Sequence, residues 1–197
     1  ETFNRPNVTL QNLARNPIDR ITETGVRLAD GSEVELDCLI FATGYDAMTG
    51  ALLHMDIQGE GGVQLRDRWA AGPRTMMGLM VEGFPNLFTV TGPGSPSVLS
   101  NMLVSIEQHV DWISDCLAHL QSQHKRKIQP TPEAQEQWVT HVNELANATL
   151  FPRGNTWYMG ANVPGKPRVF MPYLGVGPYR ELCDNVAKAG YQGFVME

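Results

Sequence analysis

The chain has 197 residues, of which 42% are hydrophobic, and a formal net charge of −6. That length allows one large or two small domains with a real core. The acidic balance excludes a basic stripe that could neutralise nucleic-acid phosphates. No apolar run approaches a membrane span, so neither nucleic acid nor membrane is an expected partner. Cys38, Cys116 and Cys183 are odd in number and far apart, with no CxxC pair. They read as reduced thiols of a cytoplasmic protein, not as a disulfide frame or zinc site.

Taken in chain order, Asn7 to Leu13 alternates weakly and could form one strand. Ile18 to Asp37 reads as a β-meander, with Asp30-Gly31 as its hairpin turn because the turn needs positive φ. Cys38 to Asp46 then reads as a short buried strand, its apolar run Leu39-Ile-Phe-Ala42 stopped by Thr43 and Gly44. Ligands in open α/β sheets sit beyond the carboxyl ends of strands, so a cofactor is expected at Ala42-Thr43-Gly44.

Asp46 to Gly62 reads as loops around a short strand near Met55–Ile57, and Leu65 to Trp69 as a short strand or turn. Met76 to Met80 should be buried, and Pro85 to Thr91 should form a second buried strand. Gly92-Pro-Gly-Ser-Pro-Ser97 cannot be regular structure. Beyond it Leu99, Met102, Leu103, Ile106, Val110, Ile113, Leu117 and Leu120 fall at helical spacing, a stripe expected to face the core. Strand, glycine-rich loop and helix together aim a helix start, with its free N–H groups, at a ligand. Thr131-Pro132 is an N-cap with proline at the first helical position, opening a helix to about Thr149. Residues 151–177 are irregular, rich in glycine and proline, yet carry Trp157, Tyr158, Phe170 and Tyr173. A loop of that length and aromaticity suits a mobile lid. A last helix spans about Tyr179 to Ala189 and stops at Gly190.

No GxGxxG, P-loop or GxSxG occurs. The five histidines lack metal-pair spacing and read as structural or surface residues; no metal is expected. These residues alone support an α/β fragment with a cofactor-facing strand end, and they name no reaction.

Six blocks carry a resemblance. They are Phe41-Ala-Thr-Gly-Tyr-Asp-Ala47, Trp69-Ala-Ala-Gly-Pro-Arg-Thr75, Phe84-Pro-Asn-Leu-Phe88, Gly92-Pro-Gly-Ser-Pro-Ser97, Asn101-Met-Leu-Val-Ser-Ile-Glu-Gln-His109 and Trp157-Tyr-Met-Gly-Ala-Asn-Val-Pro-Gly-Lys166. Together they resemble a flavin-dependent Baeyer–Villiger monooxygenase. The resemblance implies the C-terminal part of a fold with two dinucleotide-binding domains, one for FAD and one for NADPH. Residues 1–45 would end the NADP-binding domain, with Ala42-Thr43-Gly44 at the crossover. Residues 46–197 would belong to the FAD-binding domain, with the mobile loop at about 151–177. The implied reaction inserts one oxygen atom of O2 into a ketone to give an ester or lactone. Met102 would contact the flavin and Trp157 would reach NADP. Thr91, Ser97, Val98, Leu99 and Met171 would line the substrate pocket, where Ser97-Val98 matches a short insertion of enzymes for aryl or bulky ketones. Lys166 and Arg168 read as solvated loop charges. The family's glycine fingerprints, its signature motif and its active-site arginine would lie ahead of Glu1. This chain alone is then expected to hold no catalytic residue and to be inactive. Two alternatives stand beside that reading: a flavin monooxygenase that oxidises amines or sulfides, and a non-catalytic domain of inherited fold.

Overall fold

The computed structural model describes residues 1–197. The chain divides into two compact units, Glu1–Thr43 and Gly44–Glu197.

The first unit carries a three-stranded antiparallel sheet. Strands β1 (Ile18–Ile21), β2 (Gly25–Leu28) and β3 (Glu33–Glu35) pair in sequence order, Ile21 opposite Val26 and Arg27 opposite Glu33. This is the expected meander. Its second turn needs Gly31, at φ +85°, where a side chain would be strained. Asp30 braces the turn by accepting from the Ser32 N–H at 2.9 Å and the Ser32 hydroxyl at 2.6 Å. Those bonds favour the ionised form and hold the carboxyl below its usual range. Val26 and Leu28 are buried.

Two expected strands are absent here. Residues 7–13 form turns and irregular chain, with the Asn12 side chain accepting from the N–H of Ala14 and of Arg15. Cys38 to Asp46 is irregular and, up to Tyr45, exposed, Ile40 by 82% and Phe41 by 68%. An extended segment becomes a strand only when a neighbour satisfies its N–H and C=O groups. No segment of this chain pairs with it.

The second unit is mainly helical. It opens with two short helices, α1 (Gly50–Leu53) in an expected loop and α2 (Leu65–Arg68) in place of the expected short strand or turn. The strand expected near Met55–Ile57 is absent. Its long helix is α3 (Met102–Ser122), headed by Asn101, whose side chain accepts from the Leu103 N–H. Strand β4 (Ile128–Pro130) precedes α4 (Pro132–Asn147), capped by Thr131 through the Ala134 N–H at 3.1 Å. Helix α5 (Val176–Lys188) follows the long loop, and β5 (Phe194–Met196) returns to pair antiparallel with β4. Gly190, at φ +68°, follows α5 as expected.

Met76 to Met80 lies at the centre of the core, with Met77, Leu79 and Met80 fully buried. Around it close Trp112 and Cys116 of α3, Trp138 of α4 and Tyr179 of α5. Trp112 also donates its indole N–H to the Cys183 carbonyl at 3.1 Å, tying α3 to α5. Pro85 to Thr91 is no strand. Asn86 (φ +60°) and Thr91 (φ +53°) bend the chain at both ends, leaving a single bridge between Met80 and Phe88.

Helix α3 corrects another expectation. The side it buries carries Ser105, Gln108, His109, Trp112, Cys116 and Leu120. Leu103, Val110 and Leu117 of the aliphatic stripe are exposed by 70%, 47% and 50%. The core of this unit takes the aromatic and polar side, and of the aliphatic stripe only Leu120, Ile113 and Leu99 reach that core. Periodicity reports that a face is apolar, not which neighbour covers it.

Gly78 joins two loops of the core. It sits at φ +69°, and an added Cβ would lie 2.7 Å from the Ser95 nitrogen and 2.8 Å from the Gly92 oxygen. Gly78→Ala should therefore cost on the order of 2–4 kcal/mol, from left-handed strain and a backbone clash. Urea unfolding of the full-length protein would measure it, and an unchanged midpoint would contradict the packing described.

Candidate functional site

The site is built at the head of α3. A cavity of ≈ 440 Å³ opens there, lined by Met48, Leu52, Phe88, Thr91, Val98, Met102 and Trp157, with Ser97 and Gly92 beside them. Five expected site residues, Thr91, Ser97, Val98, Met102 and Trp157, thus meet in one wall. Leu99 and Met171 do not join them: Leu99 packs against the main core, and Met171 is buried. Gly44 is not in the lining, and Ala42 and Thr43 end the other unit.

Three residues of this lining are strained in the same way. Met48 (φ +69°), Thr91 (φ +53°) and Ser97 (φ +42°) are non-glycine residues in left-handed conformation. Each costs about 1–3 kcal/mol, and such residues persist only where their surroundings hold them. The Ser97 hydroxyl reaches the Met48 sulfur at 3.2 Å, joining two of the three.

Within the turn from Thr91 to Ser97 the Ser95 N–H and hydroxyl both donate to the Gly92 carbonyl, at 3.1 and 2.7 Å, and the other bonds come from outside. The Thr75 hydroxyl donates to the Pro93 carbonyl at 2.5 Å. The Trp138 indole of α4 donates to the Gly94 carbonyl at 3.1 Å. The Gly94 N–H donates to the Met171 carbonyl at 2.6 Å, and the Tyr173 N–H to the Ser95 carbonyl at 2.7 Å. Met171, expected in the pocket, instead supports the turn from behind through its backbone.

At the start of the turn the Thr91 N–H donates to Nδ1 of His109 at 2.8 Å. His109 is fully buried on α3, and its Nε2 lies 2.8 Å from the Tyr179 hydroxyl of α5. That hydroxyl lies 2.6 Å from the Met77 carbonyl. Burial favours the neutral imidazole and lowers the His109 pKa to about 4. It also pushes the Tyr179 phenol well above its usual range and the Cys183 thiol up to about 11. These groups stay neutral at physiological pH.

The long loop reaches the same region. Asn162 donates to the Tyr45 carbonyl at 2.6 Å, and Lys166 pairs with Asp46 and donates to the Ala47 carbonyl at 3.2 Å. The Lys166 side chain is only 10% exposed. Lys166 is therefore not a solvated loop charge, because a carboxylate and a carbonyl cover it. Arg168 is exposed, as expected. Met48, His109 and Tyr179 were not among the expected site residues. Their only trace in the sequence is the polar set Ser105, Gln108 and His109, which shares a helix face with the buried Trp112.

No family profile matches the chain. Over 198 residues it is 48% identical to an acetone monooxygenase (methyl acetate-forming) of Gordonia sp. (strain TY-5), covering 100% of this chain and 37% of that protein. It is 40% identical over 197 residues to a phenazine N-monooxygenase of Lysobacter antibioticus, again along the whole chain and over 36% of the relative. The crystal structure of cyclohexanone monooxygenase from Rhodococcus sp. Phi1 bound to NADP+ superposes with a TM-score of 0.92 at 42% identity, covering 99% of this chain and 36% of that one. The chain is thus part of the fold of FAD- and NADP-dependent flavin monooxygenases. Within that class it is homologous along its whole length to the Baeyer–Villiger monooxygenases, of which it spans little more than a third.

His109 makes stability depend on pH. The unfolded chain takes up its proton near 6.5, the folded protein only near 4. Its contribution is therefore full above pH 6.5 and falls away between 6.5 and 4, by up to about 3 kcal/mol. His109→Asn cannot titrate there. Urea midpoints taken from pH 7 to 4 should fall less steeply in the variant, and identical slopes would refute the buried neutral imidazole.

Proposed function

We propose that the protein containing this chain is an FAD- and NADPH-dependent Baeyer–Villiger monooxygenase. It would convert a ketone, O2, NADPH and a proton into an ester or lactone, NADP+ and water. The observation that supports this most is the convergence of Thr91, Ser97, Val98, Met102 and Trp157 on one cavity in a chain homologous throughout to such enzymes.

The residues suit the groups this reaction needs. The volume lies within the range of small-molecule sites, and Met48, Leu52, Phe88, Val98 and Met102 make an apolar wall for a flat ring and a ketone. The head of α3 offers backbone N–H groups and the positive end of the helix dipole beside Met102, favourable to an electron-rich ring edge. Trp157 brings an indole that can stack and donate one N–H, as a nicotinamide ribose requires. Bound FAD supplies the oxygen-activating chemistry, and NADPH supplies the electrons. This chain's part is to wall the cavity and hold the ketone in register.

In this reading residues 1–45 end the NADP-binding domain and residues 46–197 form the C-terminal part of the FAD-binding domain. Residues 151–177 are a mobile lid that carries Trp157 to NADP. The rest of the family's length supplies the glycine fingerprints and the active-site arginine, so this segment alone does not turn over. Ser97 and Val98 favour aryl or bulky ketones. Unpaired thiols suit a cytoplasmic protein, and no helix is long and apolar enough to cross a membrane.

A second reading is oxidation of a nitrogen or sulfur centre. The 40% identity to a phenazine N-monooxygenase favours it. Product analysis separates the two, because a ketone yields an ester while an amine or sulfide yields an N- or S-oxide.

Two variants of the full-length protein test the site. Trp157→Ala should raise the KM for NADPH about tenfold or more, as loss of one well-packed aromatic contact does, with bound FAD unchanged. Unaltered NADPH kinetics would remove Trp157 from the site. Val98→Ala should shift preference within a panel of acetone, cyclohexanone and phenylacetone, by about 10-fold or more for the volume of two methyl groups. An unchanged ranking would mean that residue 98 does not meet the ketone.

A further inference from the structure

The hydrogen bonds at His109 can be assigned proton by proton. The Thr91 N–H can only donate, so the Nδ1 that receives it at 2.8 Å must carry a lone pair. A neutral imidazole then holds its single proton on Nε2. That proton points to the Tyr179 oxygen at 2.8 Å, which accepts it. The phenol's own proton is left for the Met77 carbonyl at 2.6 Å, where the phenol oxygen donates. Every proton in the chain Thr91, His109, Tyr179, Met77 has one acceptor, and no other assignment satisfies both ring nitrogens.

The chain runs from the backbone of the central core segment, through α5 and α3, to the strained turn that lines the cavity. Its two ends are alike, since Met77 (φ +62°) and Thr91 (φ +53°) are both left-handed non-glycine residues. A β-branched residue at positive φ is a true outlier. Thr91 is β-branched and sits at the cavity wall, so something must hold it there. Thr75, Trp138 and Met171 grip the turn at Pro93 and Gly94, whereas His109 alone grips it at Thr91.

We infer that His109 and Tyr179 are positioning residues of the cavity: Tyr179 locks His109 in the Nε2–H tautomer, and that tautomer holds the Thr91 peptide, and with it the wall made by Thr91, Ser97 and Val98, in the conformation that receives the ketone. The inference rests on the monooxygenase reading for the identity of the ligand, but not for the hydrogen bonds. Neither side chain touches substrate. Tyr179→Phe deletes one oxygen, frees the Nε2 proton from its acceptor and allows the imidazole to change tautomer, which would cost the Thr91 bond. His109→Leu deletes the acceptor outright. His109→Asn keeps an acceptor oxygen near the position of Nδ1.

The test uses the full-length flavoprotein labelled with 15N-histidine, with the His109→Asn spectrum identifying the His109 signals by their loss. The wild type should show His109 protonated at Nε2 and bare at Nδ1, and Tyr179→Phe should show a mixture of tautomers. In steady-state assays with NADPH and a ketone, His109→Leu should raise the ketone KM about tenfold, the factor that follows loss of one buried hydrogen bond. It should also raise the share of NADPH oxidised without product, with FAD content and NADPH KM unchanged. His109→Asn should restore most of the ketone KM. If His109→Leu does not accumulate as folded flavoprotein, Tyr179→Phe carries the same kinetic test. A proton on Nδ1 in the wild type would overturn the inference, as would His109→Asn being as damaging as His109→Leu. An Nε2–H tautomer in a protein that oxidises no ketone would uphold the hydrogen-bond assignment and fault the functional reading instead.

Discussion

The cavity depends on a turn whose own bonds, both from Ser95 to the Gly92 carbonyl, fix only its middle. Thr91-Gly-Pro-Gly-Ser-Pro-Ser97 has two prolines without N–H groups and two glycines with the widest backbone freedom. Buried backbone polar groups must still find partners. They find them on α3, on α4 and on the long loop, through His109, Trp138, Met171 and Tyr173. The turn is thus fixed by three elements that follow it in the chain, with Thr75 before it. Strain at Met48, Thr91 and Ser97 is stored there because the surrounding core over-determines it. A site built this way is preorganised, which lowers the cost of binding a ligand.

The same core explains which faces stay open. Aromatic and sulfur-bearing side chains around Met77 and Met80 take the polar-punctuated side of α3. The aliphatic stripe through Leu103, Val110 and Leu117 is left exposed, as are Ile40 and Phe41. Relatives of this chain are nearly three times its length, and in their fold these surfaces need not face water.

Much of this was legible in the residues. The meander with its Asp30-Gly31 turn, the cap at Thr131, the buried Met76–Met80 run and the three long helices depend on nearest neighbours in sequence and read correctly, whereas the short helices α1 and α2 do not. The strands at 38–42 and 85–91 did not form. The first lacks a partner in this chain, and the second is bent by left-handed residues that tertiary contacts impose. Of the residues that the resemblance put in the substrate pocket, Thr91, Ser97 and Val98 line one cavity together with Met102 and Trp157, whereas Leu99 packs against the core and Met171 is buried. His109 and Tyr179, 70 positions apart, were invisible as a pair. No periodicity joins them, and only the packing of α3 on α5 brings the imidazole to the phenol. The burial of Lys166 is hidden in the sequence for a related reason, since its partner Asp46 lies 120 positions away.

The central claim is that the cavity at the head of α3 serves the oxidation of a ketone in the complete flavoprotein. The most direct measurement is to express the full-length protein, record its bound flavin, and compare NADPH consumed with ester formed from a ketone under O2. The account predicts bound FAD and one ester for each NADPH oxidised. Bound FAD with NADPH oxidised and no ester from any ketone, or a protein that binds no flavin, would contradict it.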